Sequence, residues 1–137
     1  NKIPKLAKDY GLAEDTVRHL LDRYGSLYEE LLAPAKDDST LLEPLIEGLP
    51  YIKAEARYAI THELALSIDD LLSRRTRIAF EASDSGLSIT PYLGELLGKF
   101  AGLGKKEITK SITEYEQIIL RQKKNLERAT QIASKVS

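Results

Sequence analysis

The sequence predicts an all-α fold, a single orthogonal helical domain of about six helices with a long C-terminal one. Apolar residues recur every three or four positions in successive stretches after Ala13, Ile68, Leu93 and Ile108, the period of a helix with one buried face. Start and stop signals punctuate those stretches, with Pro4 and Thr90-Pro91 as openings and Gly11, Gly25, Gly102 and Gly104 as closures. Two helices are expected to meet in a tight corner at Leu66-Ser67.

The chain has 137 residues, the size of one domain and enough to remove roughly two-thirds of its unfolded surface from water. Lys and Arg total 20 against 21 Asp and Glu, for a net charge of −1, a balance that argues against a general polyanion binder. With zero Cys there is neither a disulfide nor a thiolate metal site, which fits a reducing compartment. No apolar run spans a bilayer and no signal-peptide pattern is present, so a cytoplasmic location is expected. The sequence opens at Asn1 and contains no Met; it is expected to be a piece of a longer protein.

In chain order, residues 3–10 form a short helix with Pro4 at its start, ended by Gly11. A second helix from Ala13 carries Val17, Leu20, Leu21 and Tyr24 on one face, with Glu14 and Asp15 in the first turn and Gly25 as a left-handed stop. Ser26 and Glu29 have capping-box spacing and open a short helix with Leu27, Leu31 and Leu32. Residues 3–24 also have the spacing of a helix-turn-helix, in Leu6, Ala7, Gly11, Leu12, Thr16 and Val17. This supports an alternative reading as a free-standing module that binds DNA or protein. Carboxylates at Glu14, Asp15 and Asp22 on the would-be recognition helix would repel phosphates, so no nucleic-acid partner is expected.

Residues 33–52 contain Pro34, Pro44 and Pro50 and read as an internal loop or extended connection, pinned by Leu41, Leu42, Leu45 and Ile46 or briefly paired as a strand. The next helix, from about Lys53 to Ala65, has Ala56, Ile60 and Leu64 on one apolar line and Tyr58 on another, the pattern of a helix packed on both sides. After the corner, Ser67 and Asp70 make a capping box. Ile68, Leu71, Leu72, Arg75, Ile78 and Ala79 then form an apolar stripe with one guanidinium in it. Asp70 with Arg74, and Arg77 with Glu81, are i,i+4 pairs on the opposite face.

Arg75 is therefore expected to be largely buried and to need acids or carbonyls, with Glu55, Glu63 and Asp69 as the near candidates. It either fixes the corner as a structural ion pair or reaches a partner domain. His62 has no Cys, second His or spaced acids beside it and reads as a packed, hydrogen-bonded side chain. A helix from Thr90-Pro91 buries Leu93, Leu96, Leu97 and Phe100, is weakened by Gly98 and stops at Gly102 and Gly104. The run GKFAGLG lacks GK[ST] or GxGxxG order and is a helix stop, not a nucleotide loop. The last helix, about Lys105 to Ser134, carries Ile108, Ile112, Tyr115, Ile119, Leu126, Ala129 and Ala133 near one stripe. Its second half is polar, with a basic cluster at Arg121, Lys123 and Lys124 that either is solvated or meets anionic lipid.

The stretch from Tyr51 to Glu81 resembles the C-terminal domain of FAD-dependent glycerol-3-phosphate dehydrogenases and the related alpha-glycerophosphate oxidases. The matching pieces are Ala54-Glu55-Ala56-Arg57-Tyr58, His62-Glu63, Asp69-Asp70 and above all Arg74-Arg75-Thr76-Arg77, with weaker agreement at His19 to Gly25 and along the last helix. The resemblance implies that residues 1–137 are an accessory helical domain with no catalytic, cofactor-binding or metal-binding residue of its own. It implies that FAD and the substrate are held by a preceding body of the same chain, which oxidises sn-glycerol 3-phosphate to dihydroxyacetone phosphate and passes electrons to quinone or oxygen. His62, Glu63, Asp69, Asp70, Arg74, Arg75 and Thr76 are the structural or interdomain residues on this reading. A homodimer and a peripheral membrane contact of the full-length protein are the further partners it brings.

Overall fold

A computed structural model describes residues 1–136. Among the described residues there are seven α-helices: α1 Ile3–Tyr10, α2 Glu14–Tyr24, α3 Tyr28–Leu32, α4 Lys53–His62, α5 Ile78–Glu81, α6 Thr90–Ala101 and α7 Lys105–Val136. Among the described residues the nearest thing to a strand is one antiparallel bridge, Pro44 with Ile52.

The pair α1 and α2 forms as the spacing requires. Gly11 takes φ 67°, its amide bonds the Ala7 carbonyl, and Ile3, Ala7 and Val17 close over Leu6 and Leu12. Gly25 ends α2 with φ 57° but ψ −134°, outside the left-handed helical region expected for it. The capping box at Ser26 does not form: α3 starts at Tyr28 with no side-chain cap, and Glu29 accepts instead from the Tyr28 hydroxyl. The connection at 33–52 contains two short 3-10 turns, Ala33–Lys36 and Ser39–Leu42, and is then held by Leu45 N to Tyr51 O (2.8 Å) and Lys53 N to Glu43 O (2.9 Å). That is the brief strand-like pairing its prolines leave room for.

The helix α4 lies between two cores. Ala54 and Tyr58 pack with Leu20, Tyr24, Leu31 and Leu32 of the N-terminal helices, whereas Ala56, Ala59 and Ile60 pack with Ile68, Leu72, Leu93, Leu97 and Tyr115. Its two apolar lines are thus buried on opposite sides. It ends at His62, short of the expected Ala65, and Leu64 leaves the apolar line to stand exposed with φ +58°.

The helix expected from Ser67 to Glu81 is broken. Ser67 Oγ accepts from the Asp70 amide at 3.0 Å, as a cap should. The chain then widens into a π-helical turn, Asp70–Arg75, and stops at Thr76 before α5. Thr76 explains the stop. Its hydroxyl donates to the Leu71 carbonyl at 2.9 Å, and its oxygen accepts from the Ile78 amide at 3.3 Å, so one side chain closes the π turn and caps α5. Ile68, Leu71, Leu72, Ile78 and Ala79 still reach the core. The corner is tied to α7 by Ile68 N donating to the buried Ser111 Oγ at 2.9 Å.

The Thr90 hydroxyl donates back to Leu87 O instead of capping α6. Gly94 and Gly98 of α6 face Ile108 of α7; a Cβ at Gly94 would lie 2.7 Å from an Ile108 methyl. These glycines let the two helices close. Phe100 is only partly buried, with the Arg57 guanidinium 4.8 Å over its ring. Along α7, Ser111 and Tyr115 are buried, whereas every described side chain from Leu120 onward is exposed.

Candidate functional site: an arginine-lined cleft

The π turn decides where the arginines go. Bonding five residues back packs more residues into each turn than an α-helix holds, so positions late in the turn lag behind the core stripe. Arg75 is the residue displaced. Its side chain is 32 % exposed instead of buried, and Arg74, Arg75, Thr76 and Arg77 together form one wall of a cleft of about 1180 Å³. The cleft is lined as well by α2, through Arg18, His19 and Arg23, and by the 44–52 connection with Tyr51.

Arg75 is held from two sides. Its Nε lies 3.4 Å from Asp70 Oδ1, its Nη1 4.0 Å from Glu63 Oε1, and its Nη2 donates to the Glu63 carbonyl at 3.3 Å. Of the three acids expected near it, Glu63 alone is a partner. Asp70 was expected to pair with Arg74 on the outer face; its carboxylate turns inward to Arg75 because the π turn brings Nε over it. Glu63 also lies 4.0 Å from Arg23, linking the corner to α2. The atoms Arg75 Nε, Asp70 Oδ1 and Glu63 Oε1 are buried at ion-pair distance without hydrogen-bond geometry, an attraction weaker than a bidentate pair would give.

Asp69 accepts from Ser73 Oγ at 2.8 Å and takes no part in the cleft. Glu81, expected to pair with Arg77, accepts from the Tyr51 hydroxyl. His62 stacks on Tyr58 with centroids 4.4 Å apart, bonds Thr61 Oγ1 and lies 3.0 Å from Glu30. It is a packed surface histidine away from the cleft lining. The cleft thus gathers Arg74, Arg75 and Thr76 with Glu63 and Asp70 behind them, and leaves His62 and Asp69 out.

Glu55 has a different job from the one expected of it. It is 2 % exposed, and its carboxylate accepts from the Ile52 amide at 2.8 Å and the Tyr24 hydroxyl at 3.0 Å, with His19 Nε2 at 2.6 Å. A glutamate at the third position of α4 caps its own helix and fastens α2 to it. Burial first, then the Glu55 charge, pushes the Tyr24 hydroxyl pKa well above the usual tyrosine range. His19 stands with Glu55 behind it and Tyr51 edge-on at 4.9 Å. Sequence reasoning passed over α2 as a cleft wall; the signal available was Arg18, His19, Asp22 and Arg23 sharing one polar face at helical spacing.

Among the described residues no three His, Cys, Asp or Glu side chains converge on a metal position. A dinucleotide site needs a strand running into a glycine turn and a helix N-terminus. The glycines here close α6, so these residues do not fit FAD.

The family model for the C-terminal domain of alpha-glycerophosphate oxidase matches residues 1–108. The chain belongs to this family. As a glycerophosphate-oxidase C-terminal domain it is similar to a glycerol-3-phosphate dehydrogenase of Mycobacterium leprae, 36 % identical over 84 % of this chain and 20 % of that protein. It is also similar to glycerol-3-phosphate dehydrogenase 2 of Mycobacterium tuberculosis, 40 % identical over 77 % of this chain and 18 % of that protein. The mitochondrial glycerol-3-phosphate dehydrogenase of Mus musculus is 32 % identical over 81 % of this chain and 16 % of that protein. The domain therefore spans about a fifth of the length of the curated relatives it matches. No solved structure matches it. The family match supports the enzyme-domain reading and adds nothing to the helix-turn-helix alternative.

Proposed function

We propose that residues 1–137 are the accessory C-terminal domain of an FAD-dependent glycerol-3-phosphate dehydrogenase and carry no reacting group themselves. The match to glycerol-3-phosphate dehydrogenases over most of this chain but a fifth of theirs supports it. On this reading the preceding body binds FAD, oxidises sn-glycerol 3-phosphate to dihydroxyacetone phosphate and hands electrons to quinone or oxygen. His62, Glu63, Asp69, Asp70, Arg74, Arg75 and Thr76 then belong to the corner that seats on the body, with Arg74 and Arg77 facing outward and Arg75 bracing the corner from within. An interface rich in arginine and mixed in charge is typical of contacts between domains.

On this reading the exposed half of α7 is the part available to a peripheral membrane contact of the full-length protein. No described helix is long and apolar enough to cross a bilayer, and the polar face of that half carries Arg121, Lys123 and Lys124, suited to anionic headgroups on the cytoplasmic side.

The test is to express the polypeptide with its preceding coding region and without it. The longer protein is expected to be yellow and to reduce an artificial acceptor when given glycerol 3-phosphate. The 137-residue chain is expected to be colourless and to give no calorimetric heat with FAD or glycerol 3-phosphate. Stoichiometric flavin on the short chain, or a longer protein that neither binds flavin nor oxidises glycerol 3-phosphate, overturns the reading.

A further inference from the structure

The turn that closes α4 is built for glycine and holds leucine. The amides of Glu63 and Ala65 both donate to the Ala59 carbonyl, at 3.1 and 3.0 Å, the first an ordinary helical bond and the second a wider one that closes the turn around a left-handed residue. That residue is Leu64, with φ +58°. A Cβ in this region crowds the following carbonyl, so the fold by itself favours glycine there. Leu64 is 76 % exposed and Leu66 is 55 % exposed, while Ala65 between them is fully buried. Neither leucine belongs to this domain's core clusters.

The turn is nevertheless braced by side chains. Arg75 donates to the carbonyl of Glu63, the residue before Leu64; Arg23 lies 4.0 Å from the Glu63 carboxylate; and His62 pairs with Glu30. Strain held at an exposed apolar position by a network that fixes it is the mark of a contact prepared in advance.

We propose that Leu64 and Leu66 are the apolar anchor by which this domain seats on the preceding part of the same polypeptide, in an apolar hollow. This rests on the reading above as the C-terminal domain of a longer enzyme, whose relatives carry about four-fifths of their length outside the matched region. A second copy offering the same face would set knob against knob, whereas a hollow in the body receives both leucines.

The experiment compares the 137-residue chain with the full-length protein, each with and without Leu64→Gly and Leu66→Ser. In the short chain Leu64→Gly is expected to raise the melting temperature by about 3 °C, because strain is relieved and no contact is lost. In the full-length protein the amides of 63–67 are expected to exchange at least about tenfold more slowly than in the short chain, and the double variant to abolish that protection and speed proteolytic release of the domain by a similar factor. Equal exchange in both proteins, a lower melting temperature for Leu64→Gly in the short chain, or release unchanged by the double variant overturns the anchor. So does protection that depends on protein concentration and falls as oligomers dissociate, which assigns the leucines to a second copy. None of these readouts uses flavin or activity, so a failure of the enzyme reading is seen separately.

Discussion

Among single residues, Glu55 carries the most. Three donors depend on a carboxylate that is almost entirely out of water, so Glu55→Ala is expected to cost about 3 kcal/mol in urea unfolding, the range for stranding buried polar partners. Arg75→Ala leaves two buried carboxylate oxygens without their cation. Because a third of the arginine is already in water, the expected loss is about 2 kcal/mol, and Arg77→Ala should stay within about 0.5 kcal/mol. Equal shifts for the two arginines would contradict the bracing role of Arg75. The buried tyrosines, Tyr24 among them, set an alkaline limit. Burial raises the Tyr115 pKa from 10.0 to about 12, and burial with the Glu81 hydrogen bond raises Tyr51 from 10.0 to about 12. Their contribution is complete below pH 10 and is lost as the unfolded tyrosines ionise first, so the urea midpoint should fall between pH 10 and about 12 and fall less in Tyr115→Phe. That Arg75 needs acid neighbours was legible from a charge in an apolar stripe. Which acids was not, since the answer depends on a π turn that carries Arg75 off that stripe and onto Asp70.

At the scale of elements, the π turn and the notch between α6 and α7 are the features that can be probed cleanly. Thr76→Val keeps the shape and removes the hydroxyl that closes the turn; a loss of about 1.5 kcal/mol is expected, visible as a lower urea midpoint. Gly94→Ala drives a methyl into Ile108 and should cost about 1–2 kcal/mol despite the better helix propensity of alanine. At Gly98 the nearest Ile108 atom is 3.3 Å from a built Cβ, and Gly98→Ala should be near neutral. The helices themselves were readable because caps and periodicity agree: Gly11 and Gly102 stop α1 and α6 in left-handed turns, and α4 buries the two faces its sequence shows. The failures fall where a hydroxyl or carboxylate had a choice of partner. Thr90 and Glu29 have capping chemistry at capping spacing, yet their observed bonds go to other local groups, and Ser26 does not cap α3. The break at Thr76 escaped notice because the positions on both sides of it stay on the buried stripe whether the turn is α or π.

On the scale of the whole molecule, α4 joins two cores that among the described residues share no other helix of comparable burial, and the described part of α7 packs on one of them through its first half. Cutting the chain after Leu120 removes side chains that are all exposed among those described, so the melting temperature is expected to stay within about 1 °C of the intact chain. A larger drop would mean that the distal half packs on the domain in solution. Sixteen residues of uninterrupted helix from Arg121 to Val136 extend about 24 Å past that point. A strut of such length converts a tilt of a few degrees at its root into a swing of several ångströms at its tip. Any reorientation of this domain on its neighbour would therefore be felt most strongly by whatever is grafted to the far end.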